Sequence, residues 1–135
     1  MTTIPSEILQ ALLDARNAAY APYSNFHVAA VAVTADGRTF PGCNVETAHY
    51  KSVCAEASAI SAMVGAGQRK IDTIYVLGPQ GQACPPCGDC RQRIREFAGR
   101  TTRIVLVDEA GSELQRFDIE ALLPQAFGPD TMASR

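Results

Sequence analysis

The chain has 135 residues, a formal net charge of −2 and a pI near 5.6, with 47% apolar and 19% charged residues. That size and balance suit one compact domain with a real core, expected to span residues 1–135. The acidic balance argues against a nucleic-acid surface, no apolar run is long enough to span a bilayer, and residues 1–10 lack the basic-then-apolar pattern of a secretory signal. Neither nucleic acid nor membrane is therefore expected as a partner, and the cytoplasm is the expected compartment. In a reducing compartment five cysteines, an odd number, read better as metal ligands or buried thiols than as disulfides.

Residues 6–20 carry Ile8, Leu9, Leu12, Leu13 and Ala19 at helical spacing, with Pro5 and Ser6 at the start and Pro22 as the stop. Tyr23-Ser24-Asn25 is a turn. Residues 26–34, with Val28, Val31 and Val33, form a strand whose continuous apolarity predicts burial on both faces. Ala35-Asp36-Gly37 carries a hairpin signal, and residues 38–44 return as the second strand. Residues 54–64 read as a helix of small and apolar residues ended by Gly65-Ala66-Gly67. A strand over 71–78, a Gly/Pro-rich loop over 79–86 and a helix over 87–97 follow, the last with Ile94 and Phe97 inward and Arg91, Arg93 and Arg95 outward. Strands over 102–107 and 113–117, joined by the turn Asp108-Glu109-Ala110-Gly111, must be antiparallel because the link is so short. Asp118 caps a brief helix ending at Pro124, and residues 125–135 are a mostly polar tail. The order α-β-β-α-β-α-β-β-α predicts an α/β fold, a mixed sheet with helices on both faces.

The chemistry concentrates in two stretches. Cys54-Ala55-Glu56 places a thiolate and a carboxylate at one helix start, and Pro86-Cys87-Gly88-Asp89-Cys90 places two thiolates at another. Cys87 and Cys90 can grip one metal, with Cys54 as a third corner. The partial positive charge of each helix N-terminus favours the thiolate form. Three sulfurs would leave zinc's fourth position for water, which the metal activates near neutral pH, and Glu56 is the proton carrier beside it. A lone CxxC is a weak signal: it also serves redox pairs and closed structural zinc sites. A closed site needs a fourth protein ligand, for which Cys43, Cys84, His27 and His49 are the candidates. Glu56 beside three thiolates favours the open, hydrolytic site, in the pattern of thiolate-x-Glu followed by P-C-x-x-C found in zinc nucleobase deaminases.

On these residues the chain resembles the small, homotetrameric, three-cysteine cytidine deaminases. Tyr20-Ala21-Pro22-Tyr23-Ser24-Asn25-Phe26, Gly42-Cys43-Asn44-Val45-Glu46, Pro86-Cys87-Gly88-Asp89-Cys90-Arg91-Gln92 and Leu122-Leu123-Pro124 with Phe127 all resemble that family's motifs. The likeness covers nearly the whole chain. It implies a three-layer α/β/α sandwich around a mostly five-stranded mixed sheet. It also implies Zn²⁺ on Cys54, Cys87 and Cys90, and catalysis by Glu56. Phe26 would stack on the base, Ala55 would hydrogen-bond it through its backbone, and Asn44 and Glu46 would hold the ribose. Tyr50 and Phe127 would reach a neighbouring subunit's site in a homotetramer with shared active sites. The implied reaction is hydrolytic deamination of cytidine and 2′-deoxycytidine to the uridines and ammonia, as in pyrimidine salvage.

Three departures border that site. The family usually has Arg directly after the Cys-Ala-Glu element, donating to the thiolates; this chain has Ala57, and Lys51 and Arg91 are the basic residues nearest in sequence to the cysteine ligands. His27 and Ala29 alter the first motif, and Thr47, His49 and Lys51 alter the segment after Glu46. They leave open a modified cytosine nucleoside or a blasticidin-type aminopyrimidine nucleoside as substrate. A third reading, a zinc-stabilised binding protein without catalysis, predicts a fourth protein ligand and indifference to substitution of Glu56.

Overall fold

The computed structural model describes residues 2–133; the readings that run to Met1 and Arg135 extend outside the described residues. A five-stranded sheet has the order β2-β1-β3-β4-β5, where β1 is Ala29–Val33, β2 Thr39–Cys43, β3 Ile71–Leu77, β4 Ala98–Val107 and β5 Glu113–Phe117. Only β3 and β4 run parallel, bridged by helix α3, Gly88–Phe97; the other neighbours are antiparallel. Helix α1, Ser6–Ala18, covers one face by seating Ile8 and Leu12 on Ala29, Val31, Leu77, Val105 and Val107. The alternate strand residues Ala30, Ala32, Ile74, Val76, Ile104 and Leu106 face the other way. They meet helix α2, Ala55–Gly65, together with α3 and the short helix α4, Ile119–Leu122. That is the expected three-layer α/β/α sandwich, and β1 is buried on both faces as its apolarity predicts.

Small residues let α2 lie directly on β2. A Cβ on Gly42 would sit 2.3 Å from the Ala59 nitrogen and 2.7 Å from the Ala55 carbonyl oxygen, closer than any side chain can be accommodated. Only glycine permits that approach, and it fixes the start of α2 against the end of the sheet. Strand register does the rest. Cys43, Ala29, Leu77 and Val107 form one row across four strands. The chain therefore enters β1 and leaves β2 and β3 at the same end of the sheet, where both α2 and α3 begin.

Four details differ from expectation. Strand β1 starts at Ala29 rather than at residue 26, so Phe26 stands before the strand instead of in it. Strand β4 starts at Ala98, straight after α3, rather than at residue 102. Thr102 is buried there, accepting from the Gly99 N–H at 2.8 Å and donating to the Ile71 carbonyl at 2.6 Å, so that the irregular first turn of the strand is satisfied. The polar tail contains a fifth helix, α5, Pro129–Ala133, which opens on proline, with Asp130 in its first turn. Arg91 is turned inward rather than outward, for a reason given below.

Candidate metal centre and substrate cavity

Cys54 and Cys87 are the N-cap residues of α2 and α3, both in extended conformation, and Cys90 lies one turn into α3 with no exposure. Each N-cap carbonyl closes the first turn of its helix, Cys54 accepting from the Ser58 N–H at 3.0 Å and Cys87 from the Arg91 N–H at 2.9 Å. The thiols thus hang from rigid helix starts. All three sulfurs lie within 4.8 Å of one another, with Cys54 Sγ and Cys87 Sγ 3.8 Å apart. A tetrahedral zinc with metal–sulfur bonds of about 2.3 Å needs its sulfurs about 3.8 Å apart, so this donor set fits Zn²⁺ in both chemistry and spacing. Among the described residues no fourth side chain joins the cluster: Cys43, Cys84, His27 and His49 all stand outside it. A closed structural site is not what these residues make.

Glu56 is 4% exposed, in the first turn of α2. Burial pushes its carboxyl above the usual carboxylate range, opposed by its own backbone N–H and by the Cys90 thiol. Burial likewise pushes the Cys54 and Cys90 thiols up, so a bound cation is what makes thiolates of them. Cys84 rises to about 11, chiefly by burial and then by the negative charge of Glu56.

A cavity of about 210 Å³ opens over this cluster. Phe26, Asn44, Cys54, Ala55, Glu56 and Cys87 line it, all six already singled out in the sequence. Val28, Cys84 and Pro85 complete the lining. Of these, the sequence marks Cys84 only as a candidate fourth metal ligand, and for Pro85 the one sequence signal is that it directly precedes the metal segment. The Ala55 N–H, at the first position of α2, has no acceptor within its own helix and is free to meet a ligand. Larger grooves exist elsewhere, including one of about 610 Å³ between α2 and α3 that contains Ala57, Arg93 and Phe97. None of the three thiols and no part of Glu56 lines it.

The remaining expected substrate residues, Glu46, Tyr50 and Phe127, are not in the wall of the cavity. The Glu46 carboxylate accepts from the N–H groups of Tyr23 at 3.0 Å and Ser24 at 3.1 Å, and from the Ser24 hydroxyl. The hydroxyl bond, above all, holds its pKa below the usual range. Tyr50 is 85% exposed and Phe127 60% exposed. The Phe127 carbonyl is pinned by the Gln92 amide at 2.8 Å, so its place is fixed while its ring faces outward.

Of the two basic residues weighed against the missing arginine, Lys51 and Arg91, the second is committed elsewhere. The Arg91 guanidinium donates from Nε to the Pro86 carbonyl at 2.8 Å and from a terminal nitrogen to the Leu122 carbonyl at 2.9 Å. Leu122 ends α4, so its carbonyl has no helical partner, and this unmet acceptor is what draws Arg91 inward. Arg91 therefore braces the peptide just before Cys87. Arg93 is engaged by Asp89 at 3.1 Å.

A family model described as the cytidine and deoxycytidylate deaminase zinc-binding region matches residues 3–107. The cytidine deaminase of Mycoplasma genitalium is 40% identical over 111 residues, covering 81% of this chain and 84% of that protein. That of Halalkalibacterium halodurans is 34% identical over 126 residues, 93% of this chain and 95% of that protein. The crystal structure of cytidine deaminase from Burkholderia pseudomallei superposes with a TM-score of 0.83 at 41% identity, covering 94% of this chain and 100% of that one.

Proposed function

This chain belongs to the cytidine and deoxycytidylate deaminase family, is a zinc-dependent hydrolytic enzyme by that membership and its three-thiol cluster, and we propose that its substrates are the free nucleosides cytidine and 2′-deoxycytidine. The observation that carries this reading is the meeting of three sulfurs, one buried carboxylate and an aromatic rim around one small cavity. Among the described residues no Lys, Arg or His lines that cavity. A neutral nucleoside suits such a lining better than a nucleotide, whose phosphate would meet no opposite charge.

Cys54, Cys87 and Cys90 hold the metal. Zn²⁺, when bound, supplies the Lewis acidity that lets water act as a nucleophile near neutral pH. Glu56 takes a proton from that water and gives it to N3 of the pyrimidine as the water oxygen adds to C4. It then passes the second water proton to the amino nitrogen at C4. The C4–N bond breaks, ammonia leaves and the C4 carbonyl of uridine remains. A carboxyl held above the ordinary range can carry a proton between these positions, which a solvated one at neutral pH would shed. The Ala55 N–H meets the base, Phe26 stacks on it, and Asn44 and Glu46 face the sugar.

A single domain over residues 1–135, acting in the cytoplasm as a homotetramer, completes the reading. Thiols gathered for a metal suit a reducing compartment. Tyr20, Tyr23, Val45, Tyr50 and Val53, all close in sequence to Phe26, Asn44 or Cys54, expose apolar surface of the kind another copy would cover. Covering it with another copy would also bring in Phe127 or Tyr50 from outside.

The test follows absorbance loss and ammonia release from cytidine, 2′-deoxycytidine, deoxycytidylate and a modified cytosine nucleoside, with zinc content measured in parallel. The Glu56→Gln protein is expected to keep its zinc while kcat falls about a hundred- to ten-thousand-fold. Unchanged turnover in Glu56→Gln, or no deamination of any nucleoside by the zinc-loaded protein, would overturn the proposal.

A further inference from the structure

The segment that carries Phe26 packs at its two ends, through Ala21 and Val28, but not at the aromatic residue itself. Its ring is 48% exposed, and Asn25 before it takes a left-handed conformation, φ 57°. Side-chain hydrogen bonds hold the backbone of Phe26. The Phe26 N–H donates to the Ser24 hydroxyl oxygen at 3.0 Å, and that hydroxyl in turn donates to Glu46. The Phe26 carbonyl accepts from the Asn44 amide at 2.7 Å, while the same amide's oxygen accepts from the Val28 N–H at 2.9 Å. Both backbone groups of the aromatic residue therefore end on side chains, and one route runs through Ser24 to a carboxylate.

We propose that Ser24 is a positioning residue that couples the sugar-binding carboxylate Glu46 to the base-stacking ring of Phe26. The proposal rests on the nucleoside reading above. In a chain of hydrogen bonds each link strengthens its neighbour: a hydroxyl that donates to a carboxylate becomes a better acceptor. Ser24 is the only side chain among the described residues that touches both Glu46 and the Phe26 backbone. The carboxylate that a sugar hydroxyl would meet is thus already the anchor of the aromatic segment. A nucleoside with its sugar hydroxyls engages a pre-set pair of contacts, whereas a base without them gains only one.

The experiment is a cycle of protein and substrate changes: the wild type, Ser24→Ala and Ser24→Thr, each with cytidine and 2′,3′-dideoxycytidine. For cytidine, Ser24→Ala is expected to raise KM about tenfold, the scale of one lost hydrogen bond to a charged group, with kcat changed less than about twofold. The wild-type penalty for removing the sugar hydroxyls is expected to shrink about fivefold in Ser24→Ala, and Ser24→Thr, which keeps the hydroxyl, is expected to restore it. Equal losses on both nucleosides would mean a merely structural serine and would overturn the proposal, as would no loss on either. A second arm follows amide exchange. Saturating uridine is expected to slow exchange at the Phe26 N–H in the wild type and to do so far less in Ser24→Ala, with the Val28 N–H protected in both. If deamination proceeds while that amide ignores the nucleoside, the coupling fails alone. If neither deamination nor protection occurs, both the coupling and the nucleoside reading fail.

Discussion

The metal half of the site and its rim are built on opposite principles. Cys54, Cys87, Cys90 and Glu56 sit on the first turns of two helices whose inner faces are buried in the core, and the backbone carbonyls of Cys54 and Cys87 close those turns. The rim, from Tyr20 to Phe26 with Asn44 and Glu46, is largely exposed and is held by hydrogen bonds, a few between backbone groups and the rest to the side chains of Ser24, Asn44 and Glu46. Packing resists displacement in every direction, which suits ligands that must present sulfurs at fixed separations. Hydrogen bonds hold a segment in one arrangement at small cost and let it exchange partners, which suits a surface that must admit a substrate and release a product. Disturbing the first half should therefore cost stability and metal together, and disturbing the second should cost affinity with stability nearly intact.

The largest expected effect is at Gly42. Gly42→Val would drive a branched side chain into the backbone of Ala55 and Ala59 and push α2 off the sheet. Overpacking of this kind costs about 3 kcal/mol, or roughly 10 °C in melting temperature for a chain of this size. Zinc content should fall with it, because the start of α2 carries Cys54. A melting curve and a zinc assay on the same sample check both. A variant that melts normally and holds a full complement of zinc would separate the helix seat from the metal site and break the comparison.

A middling effect is expected on α3. Arg91→Ala leaves the Pro86 and Leu122 carbonyls without their part-buried donor, a loss of about 2 kcal/mol. It also frees the peptide before Cys87, so zinc should leave faster to a chelator. Arg95→Ala, on the same helix, removes an ion pair to an Asp130 that is 75% exposed. It should cost under about 1 kcal/mol, with chelator kinetics unchanged. Urea midpoints and zinc-release rates for the pair sharpen the comparison, since both substitutions delete the same side chain and only one braces the metal segment.

The two halves were also unequally legible in the amino-acid sequence. Thiol spacing fixes the metal half, because Cys87 and Cys90 at one helix start share a face and small residues after Cys54 demand a buried helix. The observed helices begin one residue later than the sequence reading places them. Phe26, Asn44 and Ala55 came from family resemblance and do line the cavity. What could not be read was where polar side chains spend their hydrogen bonds. The inward turn of Arg91 depends on an unmet carbonyl 31 residues away, and the clasp on Glu46 comes from Ser24, 22 residues before it. Helical periodicity also made Arg91 look like a surface residue, and the polar composition after Pro124 hid α5. Local pattern governs which face of an element is buried; long-range partners of long side chains are a tertiary matter.

The smallest expected effect on stability is the sharpest test of the rim. Tyr50 is 85% exposed with a left-handed backbone, φ 62°, so within one chain its ring contributes almost nothing. Tyr50→Ala should leave the urea midpoint of isolated protomers within about 0.5 kcal/mol of the wild type. In a tetramer whose sites are shared, the same ring would be covered by a neighbour, and its removal should raise KM for cytidine or loosen the assembly. Sedimentation at falling protein concentration, run beside steady-state kinetics, reads both. If the protein sediments as a monomer at every concentration and Tyr50→Ala matches the wild type in KM, the exposed apolar rim belongs to one chain alone, and its aromatic residues need an explanation other than a second copy.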